Sequence, residues 1–248
     1  MLVSVTTIRE GDPTDPIEAL RATVFLDTAQ SHRDLGLPLF AVFVDCSDVY
    51  LEKLTQLGVT LEHQSESRMG GIRRQALRSA SSAFPHATHF LWCEPEKPAF
   101  AQIAFANAEA IVSSGDTSYF FNRLSMTSYP AEQAHYYLFA RSVASALLLF
   151  DFDYAFGPMI LARCALRHFV EYRSEYGDLW DSILVPRLRL MKSGLPFQIL
   201  NVAFQNDCRM TKVETGHPGI ILKRLQQLNN VIPSLVHECK LLAKHGNL

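Results

Sequence analysis

The sequence predicts an α/β protein built on a mostly parallel β-sheet. Two observations carry this expectation. Four short apolar runs, at residues 2–8, 39–44, 59–63 and 89–94, alternate with helix-length segments, which is the pattern of βαβ units. The chain has 248 residues, 48% hydrophobic and 19% charged, an ordinary globular composition that suffices for one large domain.

The elements follow in order. Residues 2–8 are rich in β-branched side chains and read as the first strand. Asp15 then caps a helix with Pro16 at its first position and Glu18 closing a capping box. Residues 39–44 form the second strand, ending at Asp45. Ser47 caps the next helix, which carries Leu51, Leu54 and Leu57 on one face and stops at Gly58. Residues 59–63 form a third strand. A helix over residues 72–83 carries Ile72, Ala76, Ala80 and Ala83 as its stripe, and the fourth strand ends at Glu94.

The second half is less regular. It reads as a helix over 100–112, a strand over 119–122 and a long apolar helix over 130–149. Residues 159–169 are open between strand and helix. A helix over 179–191 ends at Gly194, a strand covers 196–204, and a final helical segment starts near Pro218 with a kink or break at Pro233. The expected organisation is one domain over residues 1–217, with a ligand-binding half over 1–98 and a second half over 99–217. Residues 218–248 form a helical extension whose stripe of Ile221, Leu225, Leu228 and Ile232 packs on this domain or on a second copy.

Charge and cysteine usage narrow the function classes. A net charge of -2 gives no bias toward nucleic acid or an anionic membrane. Five scattered cysteines without a C-x-x-C pair suit reduced thiols, so a cytoplasmic location is expected. The N-terminus reads as a strand, not a secretory leader. The apolar stretch over 136–150 is interrupted by Arg141 and too short to span a bilayer. The chain has no G-x-G-x-x-G after the first strand, no P-loop, no H-E-x-x-H and no G-x-S-x-G elbow.

Polar residues cluster where the strands end, the edge at which open α/β sheets receive ligands. Thr6-Thr7-Ile8-Arg9-Glu10-Gly11 follows the first strand and Asp45 the second; each is also an ordinary polar loop. Arg68-Met69-Gly70-Gly71-Ile72-Arg73-Arg74 combines glycines, a helix start and basic side chains. It suits an anion, or is a flexible turn before a solvated face. Glu94-Pro95-Glu96 places two carboxylates after a buried strand, where they could grip a divalent cation. Asp151 and Asp153 offer a similar pair but lie beyond the four-strand pattern. Asp178 and Asp181 begin a helix, as caps or as a general base.

Taken in order, these segments resemble the GT-A glycosyltransferases, which move a sugar from a nucleotide diphosphate to an acceptor. The resemblance spans roughly residues 3–204. It implies a GT-A-like, Rossmann-type mixed sheet flanked by helices. It implies that Thr7, Arg9, Glu10 and Asp45 hold the nucleoside, and that Gly70, Gly71, Arg73 and Arg74 hold the diphosphate. Glu94 and Glu96 stand at the metal motif, binding manganese or magnesium, with glutamate where the family uses aspartate. Asp153, Gly157 and residues 160–163 are similar to the acceptor region. Asp178 or Asp181 would be the base of an inverting enzyme. A mannosylglycerate synthase-like neighbourhood adds His217 as a metal ligand. The implied partners are a nucleotide-diphosphate sugar and a small or glycan acceptor, with homo-oligomers possible. Two other readings stay open: a sugar nucleotidyltransferase, and a fold of this kind that binds nucleotide without catalysis.

Overall fold

The computed structural model describes residues 1–148 and 151–244. Seven strands form one sheet: β1 (Leu2–Arg9), β2 (Leu39–Val44), β3 (Thr60–His63), β4 (His89–Trp92), β5 (Ser118–Arg123), β6 (Met159–Ala162) and β7 (Phe197–Val202). Their order is β3-β2-β1-β4-β6-β5-β7. All neighbours are parallel except that β6 runs against both β4 and β5. This is the mixed, mostly parallel α/β sheet that the alternating pattern predicts.

Among the described residues there are nine α-helices: α1 (Pro16–Asp34), α2 (Asp48–Gln56), α3 (Met69–Ala83), α4 (Ala99–Ser113), α5 (Ala131–Leu148), α6 (Leu166–Val170), α7 (Asp181–Lys192), α8 (Cys208–Glu214) and α9 (Pro218–Lys244). They cover both sheet faces, so the strands are apolar on both sides. On one face Val3, Val5, Phe90 and Trp92 meet Ala76, Leu77 and Ala80 of α3, Leu188 of α7 and Val231 and Leu235 of α9. On the other, Leu91, Phe121 and Ile160 meet Phe100 of α4 and Tyr136 and Tyr137 of α5. Farther along that face, Leu39 and Ala41 meet Phe25 and Ala29 of α1 and Tyr50 and Leu54 of α2. None of the described helices is long and apolar enough to cross a membrane.

Several local expectations are corrected. Asp15 caps α1 through the amides of Ile17 and Glu18, but Glu18 closes no box: its carboxylate takes the Asp12 amide instead. Residues 159–169 divide into β6, a tight turn and α6. The helix placed over 130–149 begins at Ala131; its expected last residue, Leu149, lies outside the described residues. α9 runs through Pro233 without a break. Its buried face is also not the expected stripe: Ile221 and Leu225 are exposed, while Ile220, Gln227, Val231 and Leu235 are buried. α3 begins at Met69, so Gly70 and Gly71 lie in its first turn and are not a linker before it.

The register creates the site. β4 pairs with β1 only as far as Trp92 against Val5, whereas β1 continues to Arg9 against Val44 of β2. The carboxyl edge is therefore notched at β4. Residues after Trp92 fold into the notch and are tied to α1 by the Thr28 hydroxyl, which donates to the Pro95 carbonyl at 2.8 Å.

Candidate functional site

Two adjoining recesses open at the carboxyl edge of β1, β2 and β4. The outer one, about 530 Å³, is lined by Thr7, Arg9 and Asp45 at the strand ends, with Phe25, Tyr50, Met69 and Ile72 as its walls. Arg9 lies 3.7 Å from Asp45, an exposed pair. Asp45 takes a left-handed backbone conformation, φ 49°. Glu10 does not face this recess; its carboxylate accepts from the Ser47 amide at 2.6 Å and so fixes the loop after β2. A polar rim over an apolar wall suits a nucleoside-sized ligand.

The inner recess, about 170 Å³, shares Arg21, Met69, Glu96 and Lys223 with the outer one. Five basic side chains line it, Arg21, Arg73, Lys97, Lys223 and Arg224, against three acids, Glu94, Glu96 and Glu214. Tyr129, Tyr136, Tyr137, Phe156 and Trp180 supply aromatic surface. The acids are already partnered by cations. Arg21 bonds Glu214 at 3.0 Å, and Lys97 lies 3.9 Å from Glu94. Burial works against the charge of Glu96, yet Lys97, Arg21 and Lys223 together hold its carboxyl below the ordinary range.

Three of the five cations face no carboxylate within ion-pair distance among the described residues, and of these Arg224 is held by the side-chain carbonyls of Gln133 and Gln227. Arg73 donates to the Leu179 carbonyl at 2.9 Å and the Ser182 hydroxyl at 3.1 Å, and burial pulls its pKa down to about 10. The Lys223 side chain, near the start of α9, has no hydrogen-bond partner among the described residues. Burial, then Arg21 and Arg224, lower its pKa to about 8.

The remaining expected residues lie behind this surface. Arg74 forms a two-pronged pair with Asp178, both contacts 2.6 Å, with both residues buried. The Asp178 carbonyl accepts from the Gly70 amide at 2.8 Å. This explains Gly70: a Cβ there would stand 2.1 Å from the Asp178 carboxylate. A Cβ on Gly71 would meet Glu66 at 2.9 Å. Both glycines allow a close approach by side chains of this chain. Asp181 is fully buried and accepts from the Leu179 amide at 2.9 Å and the Tyr172 hydroxyl at 3.1 Å. Neither Asp178 nor Asp181 lines a recess. His217 is exposed and lines neither. Asp153, in the competing acidic pair, is buried against Arg123 at 2.5 Å, while Asp151 bonds Arg141.

The residues around Glu94 and Glu96 do not fit a divalent cation. At 4 Å and an effective dielectric constant near 20, an ammonium repels a divalent ion by about 8 kcal/mol, which cancels about half of what one ligating carboxylate contributes at close range. Lys97 lies that close to Glu94, and Arg21 and Lys223 stand by Glu96. Among the described residues no group of three or more His, Cys, Asp or Glu gathers to hold a metal. One carboxylate oxygen of Glu94 is buried without a hydrogen-bond partner, so this acid retains capacity to accept a proton donor.

Sequence reasoning missed Arg21, Lys97, Lys223, Arg224, Glu214 and the three tyrosines. Lys97 alone carried a local signal, following the Glu-Pro-Glu stretch. The others reach the site through the approach of α1, α5, α8 and α9 and of the segment between β5 and α5, which no short motif encodes.

No family model matches the chain, and no curated protein matches it significantly in sequence. Solved structures do match its fold. Glucosyl-3-phosphoglycerate synthase from Mycobacterium tuberculosis, in complex with Mn2+, UDP-glucose and phosphoglyceric acid, superimposes with a TM-score of 0.61 at 12% identity; 97% of this chain and 80% of that one are covered. A nucleotidyl transferase from Methanothermobacter gives 0.52 at 11% identity, covering 92% and 99%. A cytidylyltransferase from Leptospira borgpetersenii gives 0.51 at 10% identity, covering 99% and 94%. At these identities the likeness establishes the fold alone, an α/β arrangement of the GT-A type.

Proposed function

We propose that the protein is a glycosyltransferase that moves a sugar from a nucleotide-diphosphate donor to an acceptor hydroxyl. The observation that carries this is the pair of recesses joined at Arg21, Met69, Glu96 and Lys223. The outer one offers strand-end polar groups and apolar walls to a nucleoside. The inner one offers excess positive charge to a diphosphate and aromatic surface to sugar faces.

In this reading Thr7, Arg9 and Asp45 orient the nucleoside, and Glu10 acts indirectly by fixing the loop that presents Asp45. Arg73 faces the diphosphate and stabilises the charge that develops as the sugar leaves. Gly70 and Arg74 support it from behind, through Asp178. The acceptor hydroxyl attacks the anomeric carbon from the tyrosine-lined side. In an inverting enzyme, Asp178 or Asp181 would act as base only after leaving Arg74, or Tyr172 and Leu179. Glu94, facing the recess with an unsatisfied oxygen, is the better placed carboxylate to take the hydroxyl proton. No step is assigned to a divalent cation.

A nucleotidyltransferase is the second reading, favoured by the fold match to solved enzymes of that activity. The loop after β1 argues against it. Residues 10–12 are Glu-Gly-Asp and are folded back on the protein by the Glu10–Ser47 and Asp12–Glu18 contacts. This leaves acids where a triphosphate would need donors.

A thermal-shift screen of UDP, GDP, CDP and ADP tests the donor, followed by release of nucleoside diphosphate from the matching nucleotide sugar. Stabilisation of about 3 kcal/mol is expected at a hundredfold excess over Kd. Nucleoside triphosphate turnover with pyrophosphate release would instead support the second reading. Binding without either turnover would support a non-catalytic protein.

A further inference from the structure

We propose that the donor diphosphate is held by a cation cluster belonging to the protein itself, Arg73 of α3 and Lys223 of α9 flanked by Arg21 of α1, so that its binding needs no divalent cation. The inference rests on the nucleotide-sugar reading above and names what neutralises the ligand at that site.

The charges at the throat argue for it. Arg21 and Lys223 line both recesses, so a ligand passing from one to the other must cross them. Arg21 spends one guanidinium edge on Glu214 at 3.0 Å, and its Nε is buried without a partner. Lys223 and Arg73 have no carboxylate within ion-pair distance among the described residues. Unbalanced cations converging from three helices are costly in a half-buried cleft unless an anion joins them. A diphosphate supplies that anion and accepts charge-assisted hydrogen bonds from each of them. Lys97 lies 3.9 Å from Glu94 and is the foremost cation acting on Glu96, and three acids against five cations leave a positive excess at the throat. A divalent ion would compete with those side chains for the same carboxylates.

Helix α9 brings Lys223 to this site. It reaches the throat with Lys223 one turn from its start and then runs back along the sheet, burying Val231 and Leu235 against the core. The ammonium is thus fixed by a packed element and not by a loop.

Calorimetry separates the possibilities. Inorganic pyrophosphate and the four nucleoside diphosphates are titrated into the full chain in EDTA and in manganese, with Lys223→Met and Lys223→Arg as variants and circular dichroism as the folding check. Binding in EDTA within about threefold of that in manganese is expected. Lys223→Met should weaken pyrophosphate and nucleoside diphosphates about ten- to a hundredfold, the worth of a charge-assisted contact. It should leave the free nucleoside within about twofold, and Lys223→Arg should restore most of the loss. Binding that vanishes in EDTA, returns with manganese and ignores Lys223→Met would overturn the inference while leaving the nucleotide-sugar reading intact. Metal-free pyrophosphate binding that depends on Lys223, with no gain from any nucleoside, would uphold the cluster and sink the nucleotide reading. No binding of either ligand would overturn both.

Discussion

Lys223→Met should make the empty protein more stable. The lysine is charged at neutral pH in a place that resists charge: burial first, then Arg21 and Arg224, bring its pKa from 10.5 to about 8. Glu96 and Glu214 only partly offset this. A drop of that size corresponds to roughly 3 kcal/mol of folding free energy lost at pH 7. Methionine keeps the length of the stem without the ammonium, so a gain of about 1–3 kcal/mol is expected at pH 7. Between pH 8 and 10.5 the unfolded chain holds a proton that the folded one has released, so wild-type stability rises with pH through that window. The advantage of Lys223→Met should therefore fade as the buffer approaches pH 10. Urea titration of both proteins at pH 7, 8.5 and 10, without ligand, measures this. A variant less stable than wild type at pH 7, or a gap of the same size at pH 10, would refute the reasoning.

Four further outcomes are expected. Gly70→Ala should lower stability by about 3 kcal/mol: the helix gains about 1 kcal/mol from alanine, but the new Cβ strikes the Asp178 carboxylate and opens a buried ion pair; the urea midpoint reports it. Arg123→Met leaves Asp153 buried and unpaired, a loss of about 3–5 kcal/mol in the same assay. Glu96→Gln removes one of three acids from a cationic recess, so nucleoside diphosphate binding in EDTA should tighten by about fivefold, roughly 1 kcal/mol; weaker binding by calorimetry would contradict the charge argument. Burial lowers the pKa of His32, which bonds Thr28 and Ser4. The stability that depends on neutral His32 is thus present above 6.5 and lost as pH falls below it, and His32→Gln should flatten the acid limb between pH 6.5 and 5.

The parts of the fold legible in the sequence are those whose causes are local. β1, β2 and β4 are apolar runs because both their faces are covered, and Ser47 caps α2 through the Tyr50 amide at 3.3 Å. The start of α3 was not legible. Two consecutive glycines weaken a helix, and nothing nearby in the sequence announces that Asp178, more than a hundred residues later, demands the space. α9 misled for a related reason. Its buried side mixes Gln227, Asn230 and Glu238 with the apolar residues, because Asn230 bonds the Asp181 amide and Glu238 bonds Arg189. Thr7, Arg9 and Asp45, which line the outer recess, were expected at the ligand edge because strand ends mark it in any open parallel sheet. Arg21 and Lys223 were not, because a cation becomes part of a site only when its helix arrives there.

The throat joins the first helix of the chain to the last. Arg21 sits on α1 and Lys223 on α9, and the strand ends they face come from the first hundred residues. An anion seated between them would work as a staple across the molecule, drawing the beginning of the chain and the closing helix onto one point. Occupancy and assembly then share a single free energy. Ligand would slow amide exchange in α9 as much as in the loops that touch it.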